Sequence, residues 1–386
     1  MFRHLSRRRS FLLLGRNRMA MDPRAELARL VDLATPFAVR TAVSLRLPQL
    51  VQGGTTDLAG LARAADAHED SLARLLNHLV AVGLFDRPER DRYALTPLSE
   101  ALLAEDSRWQ LAWLDIDGPG AKMDLAYTGM LHSIRTGESA YHGVHGVPFW
   151  KDYQRDERLR VFFGAIMAGH AWQTGPALAA EYDWEPVRKV IDVGGGIGAL
   201  LSEVLHKQPH LEGAVLDLPE VAPEANEALK EAGLAGRAQF IGGSFFDRLP
   251  TGYDVLMVSR VLTDWNDEDA ARILARAGEA AGPEGRVLIV EVLAGEEHAR
   301  NNSSFDLQSL TLLGGRERTA QDFHRLAAAA GLAVLSTRHL PGGLLLVECA
   351  QDTAGQDTGT STSTSTSTST ATSTATTTTT GGNDTA

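Results

Sequence analysis

The sequence predicts an α/β protein: a Rossmann-like, doubly wound, mostly parallel sheet preceded by a helical N-terminal domain of winged-helix type. Three observations carry this. From Val187 onward, short apolar runs alternate with amphipathic segments: KVIDVG, GALLSEVLHKQP, GAVLDL, VAPEANEALKEAG, YDVLMVS, DEDAARILARAGEAAG, GRVLIVEVL. Repeated strand and helix signals of this length imply parallel strands joined by crossover helices. Before Val187 the apolar periodicity is helical almost throughout. Finally, a glycine-rich turn, VIDVGGGIGALL, stands where the first strand of the sheet gives way to a helix.

In chain order, residues 1–20 read as a disordered leader. Their apolar run, Phe11 to Leu14, falls short of the roughly 7–15 residues of a secretory signal, and Met19 and Met21 are plausible starts. Residues 21–108 form the first domain. PRAELARLVDLATPFAVRTAVSLRL places Leu27, Leu30, Val31, Ala34, Phe37, Ala38 and Ala42 at spacings of three and four. Thr56 or Asp57 can cap a short helix, HEDSLARLLNHLVAVG supplies a second, and LFDRPERDRYALT reads as a hairpin.

That order is a winged helix-turn-helix pattern. Its second helix offers Arg74 but is mostly apolar, and the chain carries a net charge of −12, so packing between two copies explains the pattern better than DNA binding. ATPFAVRTAVSLRL is apolar on several sides and cannot bury all of them alone, which predicts a homodimer.

Residues 109–182 form a helical linker beside the substrate pocket. SAYHGVHGVPFWKDY interrupts it, and its Gly, Pro and His residues predict a loop. Phe149 and Trp150 there either line a pocket or anchor the loop. Residues 183–349 make the sheet domain, ending in two closely spaced strands, AVLSTRHL and GGLLLVEC, that should pair as a hairpin. Residues 350–386, with TSTSTSTSTSTATSTATTTTT, are low-complexity and should be a disordered tail.

The 386 residues are 44% apolar and 22% charged, ordinary for a globular protein. The negative balance argues against nucleic acid or an anionic membrane as partner. The single cysteine, Cys349, excludes an internal disulfide framework and suits a cytoplasmic setting. No run approaches the roughly 18 apolar residues of a membrane span.

Gly194, Gly195 and Gly196 let the backbone turn tightly and approach a ligand closely. Asp217, at the end of the next strand and about 20 residues on, is placed to bond a ribose diol. Two cofactors fit. Gly194, Gly196 and Ala199 satisfy the dinucleotide pattern in its G-x-G-x-x-A form, so NAD is one. S-adenosylmethionine is favoured because Asp192 precedes the glycines. A pyrophosphate would not welcome that charge, whereas a methionine ammonium would. The motif also lies mid-chain, after a large helical region.

The motifs HLVAVGLF, SIRTGESAYHGVHGVPFW, VIDVGGGIG, VLDLP, GSFFDRLP, VLTDWNDEDAARIL and GGRERT, spread over residues 22–348, together resemble one family. It is the S-adenosylmethionine-dependent O-methyltransferases of the plant caffeate and bacterial polyketide type, and the anthracycline-tailoring branch looks most similar. The resemblance implies that Gly194 and its neighbours hold the methionine portion and Asp217 the ribose. It implies that Ser244 and Phe245 flank the adenine, that Ser259 contacts the cofactor near the sulfonium, and that Arg160 pairs with the cofactor carboxylate. It also implies a small aromatic substrate and a homodimer.

The same resemblance exposes a departure. Plant-type members carry a histidine base, flanked by two glutamates, where this chain has Thr263; the glutamate positions match Glu291 and Glu317. A threonine is no base at neutral pH, though it can hydrogen-bond a substrate hydroxyl or carbonyl. Asp264 can accept a proton if burial raises its pKa; its other role would be to cap the next helix. Asp267 and Asp269 read as first-turn helix charges. His142 and His145 lie in the segment that could cover the pocket. Arg316 and Arg318 suit the orientation of a substrate carbonyl or carboxylate. The activity implied is O-methylation of a phenolic or polyketide-derived compound, driven mainly by alignment. The alternative is cofactor-dependent hydroxylation or decarboxylation without methylation, chemistry that relatives of this branch also carry out.

Overall fold

The computed structural model describes residues 22–104, 108–292, 296–341 and 343–352. The expected leader, and the tail from residue 353 on, lie outside them.

Helices Pro23–Leu30, Ala34–Ser44, Leu47–Gln52, Leu58–Ala64 and Glu69–Ala81 precede a hairpin of β1 (Phe85–Glu89) and β2 (Arg92–Leu95). Asp57 starts the fourth helix, its carboxylate accepting from the Gly60 N–H at 2.8 Å. The fifth turns Leu72, Leu76 and Leu79 inward against Ala42, Leu47, Leu61, Phe85 and Tyr93, the stripe its period dictates. The first helix differs, because none of its residues is buried. Leu27, Leu30, Val31 and Leu33 are between 60% and 73% exposed, an unpartnered apolar face.

The linker is more helical than its sequence predicts. SAYHGVHGVPFWKDY forms two short helices, Tyr141–His145 and Phe149–Arg155. The punctuating residues fall at helix ends: Gly146 closes the first at φ 74° and Pro148 opens the second. Aromatic packing stabilises the pair. Phe149 meets Tyr141 edge-on at 5.4 Å and Phe163 at 5.4 Å. The 25-residue helix Glu157–Glu181 then leads to the sheet.

The seven strands are β3 (Lys189–Val193), β4 (Glu212–Asp217), β5 (Ala238–Gly242), β6 (Val255–Ser259), β7 (Arg286–Val292), β8 (Leu332–Leu340) and β9 (Leu344–Gln351). Their spatial order is β5-β4-β3-β6-β7-β9-β8. The first five are parallel; β9 runs antiparallel beside β7 and pairs with β8 as a hairpin.

Both faces of the central strands are buried, as a parallel sheet with helices on either side requires. Ile191, Val193, Leu256 and Val258 pack toward the helices Asp267–Ala281 and Ala320–Ala329. Val190, Val215, Val255 and Met257 pack toward Ala199–Lys207 and the end of the long helix. The chain runs outward from β3 to β5, then crosses back to β6 on the other side of β3. That reversal opens a crevice at the carboxyl ends of β3 and β6, where open α/β sheets place ligands.

Candidate active site

The crevice holds a cavity of about 350 Å³, the size of a small-molecule site. β3 delivers Asp192 and the glycine turn to it, β4 delivers Asp217, the loop after β5 brings Ser244 and Phe245, and β6 brings Ser259 and Arg260. The turn is backbone built around missing side chains. Gly194 sits at φ 75°, and a Cβ on Gly195 would lie 2.6 Å from Asp192 Cγ.

The two aspartates differ in what they already hold. Asp217 Oδ2 accepts from the Gly196 N–H and Oδ1 from the Leu218 N–H, each at 2.7 Å. Burial raises its pKa and those two bonds pull against it. Asp192 is 1% exposed and neither oxygen has a hydrogen-bond partner. Burial, with Asp217 nearby, pushes it up to about 7. A buried carboxyl without partners is costly and marks a place for a cation. The ammonium and sulfonium of S-adenosylmethionine fit that requirement and a pyrophosphate does not. Phe245, edge-on to Trp265 at 5.7 Å, gives the same cavity an aromatic wall. Ser244 Oγ meanwhile accepts from the Phe246 N–H at 3.2 Å.

Arg160 is placed differently from the expectation. It does not border the cavity, and its Nε donates to Glu224 Oε1 at 3.1 Å. Phe149 and Trp150 separate. Phe149 is 3% exposed and packs in the aromatic cluster, whereas Trp150 borders the cavity and stacks on Trp265 at 5.8 Å and 11°. The helix carrying Trp150 is pinned from behind: Tyr141 Oη donates to Asp152 Oδ2 at 2.5 Å, and Lys122 Nζ reaches the same oxygen at 2.7 Å. Burial opposes ionisation of Asp152, but these partners outweigh it and hold the carboxyl below its usual range.

The Leu262–Asp264 segment is a 3-10 turn, and most of the residues expected to act near it face away from the cavity. Thr263 is 2% exposed and does not border the cavity; its carbonyl accepts from the Arg316 N–H at 2.9 Å. Glu291, fully buried on β7, accepts from the Leu262 N–H at 3.1 Å and from Arg260 Nη1 at 3.4 Å, and burial pushes it up to about 7 against the pull of Arg260. Arg318 is also fully buried. It donates to the Leu262 and Trp265 carbonyls and to Asp267 Oδ1.

Arg316 pairs with Asp267 at 3.3 Å, and the Glu317 N–H donates to Asp306. Neither residue borders the cavity. Arg318 and Glu291 thus fix the turn and do not border the cavity. His145 Nε2 is spent on the Lys122 carbonyl at 2.9 Å.

Asp264 does border the cavity, beside Trp265. It does not cap the next helix. Asn266 does, accepting from the Asp269 N–H at 2.9 Å, because the 3-10 turn leaves Asp264 two residues short of the cap position. Burial pushes Asp264 up to about 7, opposed by Arg260 and reinforced by Glu291 and Glu317.

Several lining residues carried no local motif: Tyr153, Phe163, Met167, Ala171 and Thr174. The last four share one face of the long helix at spacings of four and three, and that face is a readable signal for a second wall.

Comparison with known proteins places the whole arrangement. Residues 127–333 match the O-methyltransferase domain, and residues 29–105 match the O-methyltransferase dimerisation domain. The chain is 45% identical over 308 residues to the 2,7-dihydroxy-5-methyl-1-naphthoate 7-O-methyltransferase of Streptomyces carzinostaticus, covering 80% of this chain and 92% of that one. It is 40% identical to the aclacinomycin 10-hydroxylase of Streptomyces purpurascens, covering 81% and 85%.

Among solved structures, the O-methyltransferase of neocarzinostatin biosynthesis, in complex with S-adenosylmethionine and 2-hydroxy-5-methyl naphthoic acid, superposes with a TM-score of 0.77 at 42% identity. The match covers 84% of this chain and 98% of that one. The chain belongs to the S-adenosylmethionine-dependent O-methyltransferase family. It carries the family's dimerisation domain over residues 29–105, which supports the expected homodimer. No helix among the described residues is long and apolar enough to cross a membrane.

Proposed function

We propose that the chain O-methylates a phenolic, polyketide-derived aromatic compound in a cytoplasmic biosynthetic route, mainly by holding the acceptor oxygen in line. The observation that carries this reading is the unpartnered Asp192 carboxyl in a cavity whose other wall is aromatic. S-adenosylmethionine supplies an electrophilic methyl group when bound. Asp192 would hold its ammonium end, Asp217 its ribose and Phe245 its adenine. Trp150, Phe163 and Met167 form the apolar wall against which a flat aromatic acceptor lies. A similar enzyme is named for a naphthoate and a similar solved structure holds a naphthoic acid, which favours fused-ring acceptors.

Magnitudes decide how much Thr263 matters. Alignment of two reactants is worth up to about 7–11 kcal/mol. A positioned base contributes about 10²–10⁴-fold, which is about 3–5 kcal/mol. Loss of the family's histidine therefore leaves the larger contribution in place.

The test is incubation of purified protein with S-adenosylmethionine and a panel of hydroxynaphthoates and hydroxyanthraquinones, followed by mass spectrometry. Gain of one methyl with formation of S-adenosylhomocysteine is expected. Gain of oxygen, or loss of carbon dioxide, without S-adenosylhomocysteine would overturn it. The similarity to a hydroxylase makes that second outcome worth measuring.

A further inference from the structure

We propose that Asp264 takes the proton from the acceptor hydroxyl, in place of the histidine that Thr263 replaces. This rests on the O-methyltransferase reading above and names the group that serves its chemistry.

The argument is one of position. Asp192, Asp217 and Asp264 are the carboxylates bordering the cavity among the described residues. The first two flank the glycine turn, and Asp217 is already bonded to Gly196 and Leu218. Asp264 stands on the β6 side, beside the Trp150–Trp265 stack. No group among the described residues donates a hydrogen bond to its carboxyl. The cap role that would occupy it belongs to Asn266.

The turn that carries it is fixed at both ends. Glu291 accepts from the Leu262 N–H, Arg318 donates to the Leu262 and Trp265 carbonyls, and the Asp264 N–H donates to the Val261 carbonyl at 3.1 Å. The charged groups facing it are Arg260 from β6, Glu291 from β7 and Glu317 from the loop before the last helix.

The step balances simply. The hydroxyl proton passes to an Asp264 oxygen, so the carboxylate becomes the acid and the phenol gains phenolate character. Asp264 returns that proton to water after product leaves. A carboxyl titrating near 7 is far better matched to a phenol, with a pKa of about 10, than an ordinary aspartate would be.

The experiment compares wild type and Asp264→Asn on a weakly acidic naphthol and on a nitrophenol that is largely ionised at the assay pH. The ratio of kcat/KM values should change by about 10²-fold, the loss falling on the naphthol. A readout without turnover accompanies it. With S-adenosylhomocysteine bound, the visible titration of a bound nitrophenol should move down by about one pH unit in Asp264→Asn, because a neighbouring negative charge has been removed. Equal losses on both phenols, or an unmoved titration, would overturn the proposal while leaving methyl transfer intact.

Wild type alone gives a further check. The rate on the naphthol should rise through about pH 7 whichever naphthol is used. A limb that tracks the naphthol's own pKa overturns the assignment. Should wild type methylate no phenol at all, the O-methyltransferase reading fails, and the bound titration still decides whether Asp264 faces the hydroxyl.

Discussion

The two halves of the cleft are built on opposite plans. On the β3–β4 side the residues that carry the chemistry point into the cavity: the glycine turn, Asp192 and Asp217 border it directly. On the β6–β7 side, Thr263, Glu291 and Arg318 are buried behind the wall, and only Asp264 and Trp265 of the turn reach through. One half turns its motif residues toward the cavity. The other keeps most of its motif residues behind the wall. Similar residue types at motif spacing therefore stand differently on the two sides, and bordering the cavity is what separates them.

Breaking the scaffold half should have the largest effect. Arg318→Met leaves the Leu262 and Trp265 carbonyls without their donor in a buried place, and about 3 kcal/mol of stability should be lost in denaturant unfolding. A change below 1 kcal/mol would mean that the turn holds itself. Gly195→Ala tests the binding half. Its Cβ must displace Asp192, whose Cγ would lie 2.6 Å away, at a cost of about 1–3 kcal/mol. That cost should appear in denaturant unfolding, and the displaced Asp192 should also weaken S-adenosylhomocysteine binding by about 10–100-fold by calorimetry.

Asp192→Asn sharpens the contrast through pH. The native pKa is raised, so the native state holds more protons than the unfolded one between about pH 4 and pH 7. Stability conferred by this group is present below about pH 4 and is lost as pH rises toward about 7. The apo-protein of Asp192→Asn should therefore gain on wild type in melting temperature across that window. Equal pH slopes would show that the wild-type carboxyl is solvated.

The smallest effect is expected at Thr263. With its side chain buried away from the cavity, Thr263→Val should change kcat/KM by no more than about threefold, a loss below about 1 kcal/mol. A tenfold fall would place the hydroxyl against substrate and reverse the assignment of the two halves.

Much of this was readable in the sequence. The sheet follows from the alternating apolar runs, and the glycine turn with Asp217 from a spacing that only backbone geometry explains. The two short helices Tyr141–His145 and Phe149–Arg155 were not legible, because Gly146 and Pro148 are loop formers by composition and helix ends by position. The scaffold half misled for a related reason. Residues 262–265 advance by a 3-10 turn, and no periodicity in four residues tells which side chain will face the cavity. The role of Arg318 depends on Asp267 and Leu262, about 50 residues away in the chain, so a local pattern holds no trace of it. The pairing of Arg160 with Glu224 is equally invisible to a local pattern, because Glu224 is supplied by a distant helix.

The unpartnered Asp192 has a consequence outside catalysis. A fold that buries a naked carboxyl would be completed by a cationic ligand there, and such a ligand lends stability by mass action, about 2.7 kcal/mol at a hundredfold excess over Kd. The lifetime of this protein in a cell would then follow the cell's supply of S-adenosylmethionine. When methyl donors run short, chains without cofactor would open more often and be degraded sooner, so that the amount of enzyme falls together with the amount of work it could do.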